Sequence, residues 1–209
     1  MRVTKGQQTR REIVEKAAPL FNKKGFEGTS LSDLMHATGL QKGGIYRHFS
    51  SKEELATAAF DYSWGKAVQR RLGDVAAVPD CVDRLKKMID NFVDLRSGLV
   101  PGGCPLMNTA VESDDGNALL RRKAQKALQN WTTGLSQITA EGIEKGHINP
   151  RIDPLMLSHQ IIASLEGALL ISRLRINDET LQHMRRQLHR YLEQNVRAKT
   201  LRSKSAKAS

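Results

Sequence analysis

Between Gln41 and Lys52 the chain carries Lys42, Tyr46, Arg47, His48 and Lys52. Ammonium, guanidinium, imidazole and phenol groups so close together offer donors to phosphate oxygens and to base edges. Lys42 suits guanine in particular, whose O6 and N7 are both acceptors. Gly43 and Gly44 stand among these donors. Each would destabilise an ordinary helix by about 1 kcal/mol. A helix that must approach DNA closely gains from lacking side chains there. A second chemical group is the thiol of Cys104 in Pro101-Gly-Gly-Cys-Pro-Leu-Met-Asn108. A thiol where a loop enters a helix has its pKa lowered by the backbone amides, and such a thiolate can react with an electrophile or oxidant. The alternative is a small buried hydrophobe that packs the loop. Cys81 reads as inert, and two cysteines make no disulfide framework.

Catalytic readings find little support. No phosphate-cradling glycine loop follows a strand. His183 and His189 lie on different helix faces, so neither a metal site nor a cofactor is expected. Nothing near Cys104 suggests a nucleophile with its base, so the chain is not expected to be an enzyme.

The elements that must hold these groups are helices. Ile13, Val14, Ala17, Leu20 and Phe21 form one helical face over about residues 9–25. Thr9 with Glu12 reads as a capping box for it, Gly25 as its stop, and Pro19 as a kink. Leu31, Leu34 and Met35 mark a second helix, capped by Ser30 or Ser32 and stopped by Gly39. A third covers about 41–49, and Ser50–Glu53 opens a fourth that reaches about Leu72. Further helices are expected near 81–97, 105–113, 117–145, 153–174 and 179–198. The fold class is all-α. A short helix, a turn at Gly39–Gln41 and a second short helix form a helix-turn-helix, whose second helix enters the major groove.

Charge supports this placement. Thirty-three Lys and Arg against 22 Asp and Glu leave a net +11. Residues 1–52 hold +6 of it, 53–196 are neutral, and 197–209 hold +5. A uniformly basic nucleoid-type protein would not divide its charge so. No apolar run approaches the length of a membrane span, and Met1–Arg11 is no secretory signal. A cytoplasmic location is expected, with no membrane partner.

The segments Gly25-Phe-Glu-Gly-Thr-Ser-Leu-Ser-Asp-Leu and Ala37-Thr-Gly-Leu-Gln-Lys-Gly-Gly-Ile-Tyr-Arg-His-Phe-Ser-Ser-Lys-Glu-Glu-Leu55 resemble the DNA-binding domain of TetR/AcrR transcriptional repressors. The resemblance covers about residues 9–60. Ser164-Leu-Glu-Gly-Ala-Leu-Leu170 is similar to the dimerisation helix of many members, and Gly-Cys-Pro-Leu-Met-Asn to a segment of a subset, some of which use a cysteine there to sense reactive compounds. By this resemblance Thr29, Ser30 and Ser32 correspond to phosphate or groove contacts, and Gln41, Lys42 and Gly43 to base-reading positions. Tyr46, His48 and Lys52 correspond to backbone clamps, with Arg47 and Arg11 as further DNA contacts.

The implied organisation is a helix-turn-helix domain over 1–52, a ligand-binding and dimerisation domain over 53–199, and a disordered basic tail over 200–209, with the loss of regular structure beginning near Arg197. Leu181, Met184, Leu188 and Tyr191 form a coiled-coil-like stripe. With Leu165, Ala168 and Leu169 they are assigned to the interface of a homodimer, the alternative for the stripe being an intramolecular core. Phe92, Cys104, Met107, Trp131, His159 and Ile162, with Met88, are the candidate effector contacts. The function expected is that of a DNA-binding transcriptional regulator, a repressor released from a palindromic double-stranded operator by an unidentified small molecule or electrophile. The alternative is an effector-independent architectural DNA binder, with a thiol-modifying enzyme a distant third.

Overall fold

The computed structural model describes residues 4–94 and 101–199. Helix α1 (Lys5–Lys24) starts one turn earlier than expected. Thr4 Oγ1 accepts the Gln7 N–H at 3.2 Å and Gln7 Oε1 accepts the Thr4 N–H at 2.9 Å. This reciprocal cap uses the same Thr-x-x-Gln/Glu spacing as Thr9 and Glu12, and the earlier one wins. The Thr9 hydroxyl instead donates to the Lys5 carbonyl within the helix. The helix continues unbroken across Pro19 and ends at Gly25, whose φ of 77° is available to glycine without strain.

Helix α2 (Leu31–Thr38) is capped by Ser30 with Asp33 and stopped by Gly39, while α3 (Lys42–Tyr46) is a single short turn. Helix α4 (Lys52–Leu72) begins where Ser51 accepts the Glu54 N–H at 3.1 Å. Ile13, Val14, Ala17, Leu34, Ile45, Phe49 and Leu55 close a small core between these four helices. Arg10 ties its rim: its guanidinium lies 4.4 Å from the Phe49 ring centre and its Nη2 is 2.9 Å from Glu54.

The second half of the chain is a larger bundle: α5 (Cys81–Asp94), α6 (Pro105–Ser113), α7 (Ala118–Glu144), α8 (Pro154–Leu174) and α9 (Glu179–Tyr191). Helix α4 belongs to both parts. Leu55 lies in the small core and Phe60, further along, in the large one. Phe26, Ala56 and Leu120 form a third cluster between them.

Two expectations are corrected here. Helix α8 is long and apolar enough to cross a membrane by length and composition. Half of that stretch is buried inside the bundle, so its apolar character is that of a helix packed on several sides. The chain also stays ordered past Arg197. A wide turn, Leu192–Val196, follows α9, and Ile148 pairs with Arg197 in an isolated antiparallel bridge. The Arg197 guanidinium reaches Asp80 at 2.9 Å, Asp83 at 2.7 Å and Glu193 at 2.8 Å. Its charge is therefore part of the fold. The remaining tail, 200–209, lies outside the described residues.

Candidate functional site

Two regions hold the residues singled out by the sequence. The first is the outer face of α2 and α3. Ile45 and Phe49 are each 1% exposed and anchor the short helix, so the side chains between them turn outward. Gln41, Lys42, Gly43, Tyr46 and Arg47 are exposed, and His48 is half-buried. Ser30 and Ser32 are exposed beside them, with Ser30 occupied as the cap of α2. Lys52 is half-buried, its Nζ 4.4 Å from the centre of the Phe26 ring. Arg11 is exposed but its Nε is 3.1 Å from Glu15 on the same helix.

Thr29 does not belong to this face. It is fully buried, and its hydroxyl donates to the Gly25 carbonyl at 2.6 Å. It locks the turn between α1 and α2, so the expectation of a contact through its side chain is corrected.

The two glycines of α3 differ in kind. A Cβ on Gly44 would stand 3.3 Å from the Leu40 Cβ, so close packing accounts for that glycine. A Cβ on Gly43 would meet nothing within 4 Å. Inside the chain Gly43 costs helix stability with no packing return.

The second region lies where α4 to α8 converge. Cys104 precedes α6 and is 5% exposed. Its sulfur is 3.8 Å from Arg71 Nη2. Burial, reinforced by the charge of Glu166, pushes the thiol up to about 12 in spite of Arg71. The expected lowering at a helix start is thus overturned: desolvation of a thiolate outweighs the few amides facing it. Phe92 and Trp131 stack with ring centres 5.7 Å apart. Both face Arg71, whose guanidinium lies 4.7 Å and 4.3 Å from their centres and 5.1 Å from that of Trp64. Met107 and Ile162 line a groove between α6, α7 and α8, while Met88 lies in the bundle core. His159 is on the exposed side of α8, away from that groove, because the helix turns it to the face opposite Ile161.

Arg71 and Glu166 carry no role that the sequence alone reveals. Both are buried, at 5% and 6% exposure. Nε and Nη1 of Arg71 and both carboxylate oxygens of Glu166 lack hydrogen-bond partners. The Cys104 thiol is a weak donor beside Glu166, and Glu166 has no N–H or O–H partner among the described residues. Burial raises the Glu166 pKa. Glu166 left one trace in the sequence: it is an acid inside an otherwise apolar helix.

The residues assigned to a dimer interface lie elsewhere. Leu165, Ala168, Leu169, Leu181 and Leu188 are at most 7% exposed within one chain, and Met184 and Tyr191 pack against the same core. They join α8 and α9 to α5 and α7. The large apolar residues of α8 left outside are Met156, Leu170, Ile171 and Leu174 on one stripe and Leu155 beside it, with Ile176 beyond the helix end.

Two elements connect the regions. Glu112 on α6 accepts the Phe26 N–H at 2.8 Å and the Glu27 N–H at 2.9 Å. Asn108 Nδ2 donates to the Asn22 carbonyl at 2.9 Å, and Asn22 Nδ2 to the Gly103 carbonyl at 3.1 Å. The start of α6 is thus bonded directly to the end of α1.

This geometry coincides with that of known proteins. Residues 13–59 match the family model of bacterial regulatory proteins, tetR family. Residues 81–188 match the tetracyclin repressor-like C-terminal domain. The chain belongs to the tetR family. A solved TetR transcriptional regulator from Chloroflexus aurantiacus J-10-FL is 42% identical, with a TM-score of 0.90 over 93% of this chain and 99% of that one. One from Cytophaga hutchinsonii is 36% identical, with a TM-score of 0.87 over 96% and 100%. The HTH-type transcriptional repressor DhaR of Mycobacterium sp. (strain GP1) is 27% identical over 175 residues, 82% of this chain and 86% of that protein. This TetR-family chain is a DNA-binding transcriptional regulator, and the exposed face of α2 and α3 is its helix-turn-helix.

Proposed function

We propose that the chain is a repressor that binds a palindromic operator as a homodimer and is released by a small molecule held in the bundle. Lys42, Gln41 and Gly43 read base edges. Tyr46, Arg47, His48, Ser30, Ser32 and Lys52 hold phosphates, and Arg11 does so once freed from Glu15. The observation that carries this reading is Gly43. Its missing side chain serves nothing inside the protein, and a DNA surface against α3 supplies the reason for it. The dimer forms through the apolar stripe of α8 around Leu170, Ile171 and Leu174, which one chain leaves uncovered. The neutral bundle and the Glu112 and Asn108 links support a ligand acting on α6 and, through it, on the position of α1. The high pKa of Cys104 favours a ligand that binds without covalent attack on the thiol.

A salt-titrated mobility shift tests the DNA half. Lys42→Ala is expected to weaken binding to a selected operator more than binding to random DNA. Equal loss on both would leave Lys42 a phosphate contact only.

A further inference from the structure

We propose that the groove between α6, α7 and α8 binds a small apolar amine, its protonated nitrogen seated on Glu166. This rests on the effector-responsive reading above and names the ligand class.

The groove has a volume of about 320 Å³, within the lower range of small-molecule sites. Its walls are Leu106, Met107, Val111, Leu128 and Ile162. Val111 and Leu128 are 76% and 44% exposed, so the apolar surface continues to the mouth. Glu166 closes the inner end with two oxygens that meet no N–H or O–H donor among the described residues, the weak Cys104 thiol being the one hydrogen-bonding neighbour. A buried acceptor without a partner is costly, and an apolar residue would serve packing better. Its retention makes sense when a donor arrives from outside.

The sign of that donor follows from the surroundings. Arg71 is the nearest internal cation, but it lies across three aromatic rings and turns Nη2 to the Cys104 sulfur. It forms no hydrogen bond to Glu166. Arg121 is the only base lining the groove among the described residues, and its Nη1 donates to the Asp114 carbonyl at 3.0 Å. The Asp114 side chain adds a second acid at the rim. Two carboxylates against one committed guanidinium favour a cation. The empty acceptor sites favour one with N–H groups over a quaternary ammonium, which carries charge but no donor. Val111 and Glu112 are neighbours on α6, and Glu112 holds the Phe26 and Glu27 amides. An occupant that shifts this helix therefore disturbs the reader directly.

Calorimetric titration of the full-length protein with 4-phenylbutylamine and with 4-phenylbutanoate tests the proposal, since the two share a body and differ in charge. The amine is expected to bind, and the carboxylate roughly tenfold or more weaker. Glu166→Gln should cost the amine roughly tenfold or more. Ala110→Trp, on the exposed side of the groove, should block it without entering the core, as checked by an unchanged circular dichroism spectrum. No binding of the amine, equal binding of both compounds, or full amine affinity in Glu166→Gln would overturn the proposal. Operator release is read separately by mobility shift. Binding without release would retain the amine site and remove its regulatory role. Release by some other compound, with no amine binding, would retain the repressor reading and remove the amine.

Discussion

The reader and the bundle break the rules of packing in opposite directions. Among the described residues of the reader no buried side-chain polar atom lacks a partner, and its anomaly faces out: Gly43 gives up helix stability on an open surface. In the bundle a second anomaly faces in: Arg71 and Glu166 are buried with polar atoms left without strong hydrogen bonds. A protein keeps such costs where an absent partner offsets them. On the proposed reading the direction of each anomaly marks its partner, DNA outside one region and a small molecule inside the other.

The largest expected effect tests whether the two regions stand apart energetically. Phe49 is 1% exposed in the small core. Phe49→Ala should cost about 3–5 kcal/mol and abolish operator binding. Because α4 is shared, the whole chain should lose thermal stability, read by calorimetry. A separate, unshifted transition for the bundle would show that α4 does not couple them.

A middle effect concerns the link between the regions. Glu112→Ala leaves the Phe26 and Glu27 amides without their acceptor and should cost about 1–3 kcal/mol. Ligand-induced release, measured as the ratio of operator affinities with and without effector, should shrink toward one. An unchanged ratio would move the coupling elsewhere.

The smallest effect is an acid response far from both sites. Arg197 and Lys86 hold the Glu193 carboxyl down at about 2 from 4.5. A depressed folded pKa gives stability that is present above 4.5 and is lost as pH falls through that value toward 2. Arg197→Gln should flatten this part of the melting-temperature profile, with operator affinity at neutral pH unaffected. A profile of unchanged slope would contradict the clamp.

What the sequence showed clearly was the frame. Periodicity and caps placed the helices, and the turn between Gly39 and Gln41 placed the reading face. The errors share a physical origin. Thr29 precedes a helix start, where helical periodicity does not say which way a side chain turns, and its hydroxyl found a carbonyl inside. Leu181, Met184, Leu188 and Tyr191 have a spacing that fits a seam between chains and a seam within one equally well. Arg71 follows another arginine at a helix end and looks solvated. Only the approach of Trp64, Phe92 and Trp131 in space makes a buried guanidinium there tolerable. Glu166 was visible as a break in an apolar run, yet its lack of a partner is a fact of three dimensions.

If Gly43 is kept for a surface outside the protein, Gly43→Ala should separate stability from DNA binding in one variant. Thermal unfolding and titration of a selected operator are measured together. The reader should gain up to about 1 kcal/mol of stability, since alanine favours the helix and meets nothing. Operator affinity should at the same time fall roughly tenfold or more, as a methyl group holds α3 off the base edges. Unchanged operator affinity in a folded variant would mean that Gly43 is not kept for the DNA.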